Sequence, residues 1–252
     1  MIYIATNCDE KFYRQKPNNV LESLLKYKKY KIMFFQIGFN ETIDGIVNVS
    51  IPFDKIKHSL RKDTTTRQNF VCLESGEFIN FYNFNDDDVL ILIDYDIIQQ
   101  RNFNDEEIYL IENIKDNEFY LTRNEFADET DSREEFDTVC FDKTIMNNKE
   151  PFKVYNTGCQ IANIKTWKKL YEEWVNIYEE WEKKCKHHAT GQLTINYILH
   201  KENMIKELSP SFHSAWFMHG LKHFNVDNKF HVVDGNKMVL FNHHAWHSDF
   251  IK

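Results

Sequence analysis

Apolar positions recur along the chain in two rhythms, and their alternation sets the expected fold class. Val89 to Ile93 is an unbroken run of β-branched residues and leucine. A strand facing water would alternate apolar with polar residues, so this run fits a strand buried on both faces of a mainly parallel sheet. Ile2 to Ala5 and Lys31 to Ile37 read as two more buried strands. Between them Val20, Leu21, Leu24 and Leu25 fall at helical spacing over residues 19 to 29, with Asn18 or Asn19 placed to cap the helix. Strand, helix, strand in that order predicts a β-α-β unit.

Residues 68 to 80 carry Phe70, Leu73 and Phe78 at irregular helical spacing and are expected to pack beside the Val89 strand. Val154 to Asn163 reads as a turn at Gly158 followed by a short apolar strand. Trp167, Leu170, Tyr171, Trp174, Ile177, Tyr178 and Trp181 then mark the buried stripe of a long helix from Lys165 to Lys186. A second amphipathic helix is expected from Thr190 to His200, opening near Gly191 and Gln192. The acidic stretches 104 to 107 and 126 to 137 read as exposed loops. The tail alternates short strands with His-rich turns, the last strand running from Met238 to Phe241.

A chain of 252 residues can bury an extensive core, and only 7 Gly and 4 Pro leave little room for flexible linkers, so one compact domain is expected. No apolar run approaches the ~18 residues of a membrane span, and Met1 to Asn7 lacks the basic region and cleavage site of a secretory leader. A cytoplasmic location follows as an expectation. The Asn-, Lys- and Ile-rich composition suits an AT-rich viral genome, which would make that the host cytoplasm. The five cysteines (Cys8, Cys72, Cys140, Cys159, Cys185) are widely spaced and form no Cys-x-x-Cys pair, so they read as reduced thiols. A net charge of -8 argues against a polyanionic partner. The material for a basic track is Lys55, Lys57, Arg61, Lys62 and Arg67, with Lys183 to Lys186.

The chemistry concentrates after the Val89 strand, where Asp94 and Asp96 stand one residue apart. Ligand sites in open α/β sheets lie at the carboxyl ends of strands. Continued extended geometry would project both carboxylates to one side and Tyr95 to the other, giving a place for a hard divalent cation. The competing reading is a solvated strand end, of which Asp86 to Asp88 is already an example.

Taken in chain order, Tyr3 to Asn7, Asp94-Tyr95-Asp96, Asn156-Thr157-Gly158, Gln192 to Asn196 and Val239 to His243 resemble the GT-A glycosyltransferases, in particular the glycogenin-like group and related bacterial and viral sugar transferases. Residues 205 to 235 and the acidic middle match least. The resemblance implies an α/β fold, a single GT-A (Rossmann-like) domain over residues 1 to 252. Residues 1 to 103 would form its nucleotide-binding half, and residues 104 to 252 the acceptor half with a metal-ligand tail. It implies hexosyl transfer from a nucleotide-diphosphate donor, a UDP-sugar being favoured, to a saccharide or glycoconjugate acceptor, with retention of configuration.

By the same resemblance Mn²⁺ or Mg²⁺ is bound by Asp94, Asp96 and His243, with Asp96 a direct ligand and Asp94 nearer the ribose. His244 and His219 compete for the third place. Ala5, Thr6, Asn7, Tyr95, Asn156 and Gly158 would line the donor, and Gln192 would join Asp96 in catalysis; Arg67, in the basic segment, is the candidate for the phosphates. The chain departs from the group twice. It lacks the His-x-x-Gly-x-x-Lys-Pro-Trp ending, which leaves Lys222 or Arg61 to Arg67 for the diphosphate, and Gly191 replaces the Asp of an Asp-Gln pair. Inverting transfer needs a carboxylate base, for which Asp128, Asp131, Glu134 and Glu135 are the candidates. Three other readings stay open: a phage-type transferase acting on hydroxymethylated DNA, a non-catalytic nucleotide- or glycan-binding module, and a metal-dependent phosphohydrolase.

Overall fold

The computed structural model describes residues 1–15, 19–56, 76–123, 154–184, 190–215, 223–227, 229–232 and 236–243. Their elements, in chain order, begin with β1 (Ile2–Asp9), α1 (Glu10–Gln15), α2 (Asn19–Lys26), β2 (Lys31–Ile37), β3 (Ile46–Ile51), β4 (Val89–Ile93) and β5 (Ile97–Gln99). After α3 (Asp105–Glu112) come β6 (Phe119–Arg123), β7 (Tyr155–Asn163), α4 (Ile164–Lys184), α5 (Thr190–Lys201) and β8 (Ile205–Leu208). The described chain closes with β9 (His213–Ala215), β10 (His223–Val226), β11 (Lys229–Val232), β12 (Lys237–Met238) and β13 (Phe241–His243).

A seven-stranded sheet in the order β3-β2-β1-β4-β7-β6-β8 forms the frame. β1, β2, β3 and β4 pair in parallel, β7 runs antiparallel to β4 and β6, and β8 pairs in parallel with β6. The expected β-α-β start is present, and the sheet is mainly parallel. All five residues of β4 are buried because its pleat feeds two cores. Leu90 and Leu92 pack with Trp167, Leu170 and Trp174 of α4 and Ile195 of α5, while Ile91 and Ile93 pack with Val20 and Leu24 of α2 and Ile111 of α3. Each such fully buried side chain contributes about 1.5–3 kcal/mol. Phe78 joins the first core edge-on to Trp167, with ring centroids 5.0 Å apart. Phe70 and Leu73 lie outside the described residues.

Four expectations are corrected. β1 continues past Ala5 to Asp9 because its parallel partner β2 offers a ladder as far as Ile37, and Asp9 then caps α1 by accepting a hydrogen bond from Phe12 N at 2.6 Å. Residues 104 to 107 are the start of α3, not an exposed loop. There Asn104 accepts from Glu107 N and Glu107 accepts from Asn104 N, a reciprocal capping box, and Glu107 pairs with Arg101. The turn expected at Gly158 is instead an irregularity within a strand: Tyr155–Asn163 is buried throughout between β4 and β6, and its register with β6 shifts from Leu121 beside Gln160 to Thr122 beside Asn156. Finally, no strand runs from Met238 to Phe241. The chain leaves β12 at Met238, where Val239 N bonds back to Phe230 O, and re-enters a ladder at Phe241.

A three-stranded sheet of order β5-β13-β9 sits beyond the end of β4, and a second of order β10-β11-β12 stands beside it. Among the described residues no helix is long and apolar enough to cross a membrane. Cys8 and Cys159 are free and buried, and burial pushes both thiols up, away from thiolate chemistry.

Candidate metal centre at the end of the central strand

β4 ends at Ile93 and the chain turns at once, with Ile97 N donating to Asp94 O at 3.1 Å. Asp94 and Asp96 therefore converge through a turn and not through continued extended backbone, which corrects the reason given for their meeting. The intervening Tyr95 does point elsewhere: it is buried with Cys8, Leu21, Phe34 and Phe39 and stacks on Phe34 at 5.4 Å. The turn leads into β5, whose Ile97 pairs with His243 of β13. Two separate stretches of chain are thus brought together by one small sheet.

The result is a cluster in which ligand atoms of Asp94, Asp96 and His243 all lie within 4.8 Å of one another. His243 Nε2 is 3.3 Å from Asp96 Oδ1 and 3.7 Å from Asp94 Oδ2. Partial burial pushes the Asp94 carboxyl up to about 7, the negative charge of Asp96 adding to this and His243 opposing it. Burial alone would lower His243, but the carboxylates of Asp96 and Asp94 outweigh it and its pKa is raised. A desolvated pair of like charges facing an imidazole nitrogen is an oxygen, oxygen, nitrogen donor set. It fits Mn²⁺ or Mg²⁺ better than an ion selected by thiolates.

Gly158 explains how the imidazole is held. A methyl group there would lie 2.6 Å from Cε1 and 2.8 Å from Nδ1 of His243, and 2.8 Å from Asn156 Oδ1. Positive φ is found at Gly38, Gly45 and Gly76 and not at Gly158, so the glycine serves close approach and not backbone conformation. Gly158 O accepts from Asp94 N at 2.9 Å, tying β7 to the turn. Asn156 Oδ1 accepts from Gly158 N at 2.8 Å.

The parallel register, with Thr6 beside Ile93, carries Asn7 to the level of Asp94. Asn7 is partly exposed, Thr6 is fully buried, and Ala5 packs in the core between Met33 and Leu92. Gln192 Oε1, in the first turn of α5, accepts from Thr157 N at 3.3 Å. Asn196, one helical turn later, bonds both N and O of Tyr155 and fixes α5 against β7. Arg67, Arg61, Lys62, Lys222, His219 and His244 lie outside the described residues, as do Asp128, Asp131, Glu134 and Glu135. Sequence reasoning overlooked His213, fully buried in β9 with its ring centroid 5.5 Å from that of His243. A lone histidine in Ser-Phe-His-Ser-Ala carries no signal of its own.

No protein-family model matches the chain, and no curated protein sequence does. Solved structures do. The galactosyltransferase LgtC in complex with donor and acceptor sugar analogs superposes with a TM-score of 0.64 at 13% identity, covering 98% of this chain and 90% of that one. An active-site mutant of LgtC gives 0.59 at 12% identity, covering 99% and 91%. Mouse xyloside xylosyltransferase 1 in its apo form gives 0.57 at 11%, covering 98% of each chain. The fold is therefore that of the GT-A glycosyltransferases, with the acidic cluster at the carboxyl end of its central strand.

Proposed function

We propose that this chain is a divalent-metal-dependent glycosyltransferase that moves a hexose from a nucleotide-diphosphate donor, a UDP-sugar in preference, to a saccharide or glycoconjugate. The carrying observation is the Asp94, Asp96 and His243 cluster, whose ligand atoms lie within 4.8 Å at the carboxyl end of β4. A bound cation would supply Lewis-acid stabilisation of the charge that develops on the departing diphosphate. Asp96 and the Nε2 of His243 would hold that cation, Asp94 would hold it on the side of the ribose, and Gly158 keeps the imidazole in place.

Asn7, level with Asp94, and Thr6 behind it are assigned to the nucleoside, and Arg67, from the basic segment Arg61 to Arg67, to the phosphates in place of the ending that this chain lacks. Tyr95, packed in the opposite core, anchors the turn that presents both carboxylates. Gln192 and Asn156 are assigned to the face of the sugar and acceptor. An amide cannot act as the carboxylate base that inverting transfer requires, which favours retention.

The acceptor class is tested by salt. Transfer to a saccharide should persist as ionic strength rises from about 50 to 200 mM, because hydrogen bonds and aromatic contacts respond little to screening, whereas binding through several phosphates falls by about 10³–10⁵ over that range. Sugar incorporation into hydroxymethylated duplex DNA that vanishes over the same range, and again on neutralising Arg61, Lys62 and Arg67, would replace the saccharide by DNA as acceptor. Nucleotide-sugar binding without transfer to either would reduce the protein to a binding module.

A further inference from the structure

β5 ends at Gln99, and past it the chain runs through Arg101 into α3. Beside that connection, among the described residues, lies an open cavity of about 570 Å³. Its volume falls within the range of about 300–1,000 Å³ found for small-ligand sites. None of its lining residues belongs to the Asp94, Asp96 and His243 cluster, which adjoins the other end of β5.

The floor is apolar. Phe103, Leu208 and Phe212, all buried in the core under α2 and α3, line it together with Leu110 and Met238, and the rings of Phe103 and Phe212 meet edge-on at 6.3 Å between centroids. The rim is polar and neutral in sum: Asn102, Asn104 and Ser209 are exposed there, and the carboxylate of Glu106 offsets the ammonium of Lys237.

Arg101 also lines the cavity, but it is committed within the protein. All five of its N–H groups donate internally, to Met238 O, Asn102 O, Ser211 O and both carboxylate oxygens of Glu107. No guanidinium fork is left to grip a phosphate or carboxylate. Neutral hydroxyls fare better. Asn104 keeps its Oδ1 on Glu107 N and leaves its Nδ2 for a ligand, the Asn102 amide stands beside it, and the hydroxyls of Ser209 and Ser211 lie 2.9 Å apart. These groups offer both donors and acceptors without net charge. A pyranose ring, with an apolar C–H face and a girdle of hydroxyls, matches an apolar floor under such a rim.

We propose that this cavity is a second saccharide site, separate from the metal centre and taking a neutral sugar unit. Binding here follows from the cavity alone. A glycan tethered at this site would present its end to the metal centre at raised effective concentration, and only this role rests on reading that centre as a glycosyltransferase site.

The test uses the full chain with chelator and without nucleotide. Proton NMR titrations with lactose, maltose and cellobiose as probes should show binding of at least one. Ser209→Trp, which fills the mouth, should weaken that binding tenfold or more, and Asn102→Ala should weaken it about two- to tenfold, the loss of one neutral hydrogen bond. Asp96→Ala should leave it unchanged. Both rim residues are exposed, so neither variant disturbs a core, and Asn102→Ala decides the matter if Ser209→Trp fails to fold. No binding of any probe to the native protein, or affinity unaltered in a folded Ser209→Trp, overturns the proposal. Binding lost in Asp96→Ala but kept in Ser209→Trp puts the sugar at the metal centre, which overturns the second site and leaves the glycosyltransferase reading standing. Inorganic phosphate bound by the native protein and released by Lys237→Ala would make the cavity an anion site and overturn the saccharide.

Discussion

Gly158→Ala adds one methyl group to a strand that has no room for it. The new carbon would meet His243 Cε1 at 2.6 Å and Nδ1 at 2.8 Å, while non-bonded carbons rest at about 3.5–4.0 Å, so the imidazole must retreat by about 1 Å. Alanine meets no backbone penalty here, since Gly158 is not among the positive-φ glycines, and the effect is steric alone. Overpacking of this kind costs about 1–3 kcal/mol of stability. Displacing a metal-binding imidazole should weaken Mn²⁺ binding by about 10–100-fold, the size of effect seen when the support of a ligand is removed. Calorimetry reads the affinity and thermal unfolding reads the stability. A double-mutant cycle isolates the cause: with His243→Ala the two ring contacts are gone while the 2.8 Å contact with Asn156 Oδ1 remains, so Gly158→Ala should cost about 1 kcal/mol less in that background. Mn²⁺ affinity unchanged within about twofold in Gly158→Ala, or an equal cost in both backgrounds, would refute the cradle argument.

Asp96→Ala should abolish Mn²⁺-dependent turnover while melting within about 1 kcal/mol of the native protein, because the residue sits in a turn and not in a core; full turnover in the presence of chelator would remove Asp96 from the site. Mn²⁺ binding must strip protons from an Asp94 carboxyl raised to about 7 and from a raised His243, so affinity is full above that range and falls as pH drops through about 7. The same raised Asp94 stabilises the metal-free fold at low pH and loses that contribution as pH climbs through about 7, so the thermal shift produced by Mn²⁺ should grow from about pH 6 to 8, and a flat profile would contradict the assignment. Arg101→Ala strands Glu107, whose side chain is 10% exposed, and takes bonds from Met238 O and Ser211 O, so it should destabilise by about 3–5 kcal/mol in urea titrations, whereas a loss under 1 kcal/mol would show the pair to be peripheral.

The frame was legible where one rhythm of burial governs a whole segment. β4 and β2 coincide with their apolar runs because both faces of each are covered, and Trp167, Leu170 and Trp174 fall on one helical stripe because a single core takes them all. Segments governed by side-chain hydrogen bonds were misread. Asn104 and Glu107 look like an acidic loop until their reciprocal capping is seen, and the break after Met238 depends on a backbone bond to Phe230, distant in sequence. The two aspartates were recognisable as a pair, but what joins them to His243 is β5–β13 pairing across more than a hundred residues. Gly158 reads in the sequence as a turn, and its function is an absent side chain opposite a residue from the far end of the chain. No pattern in one sequence encodes such a contact.

The central claim is that nucleotide-sugar recognition passes through a metal held by Asp94, Asp96 and His243. The most direct test is a thermal-shift panel of UDP-, GDP-, ADP- and dTDP-sugars with Mn²⁺ and with chelator, on the native protein and on Asp96→Ala. A ligand at about a hundred times its Kd stabilises the native state by about 2.7 kcal/mol. The account predicts a shift of that size for one nucleotide sugar, a UDP-sugar first, only with Mn²⁺ and only in the native protein. An equal shift with chelator, or one that survives in Asp96→Ala, would contradict it.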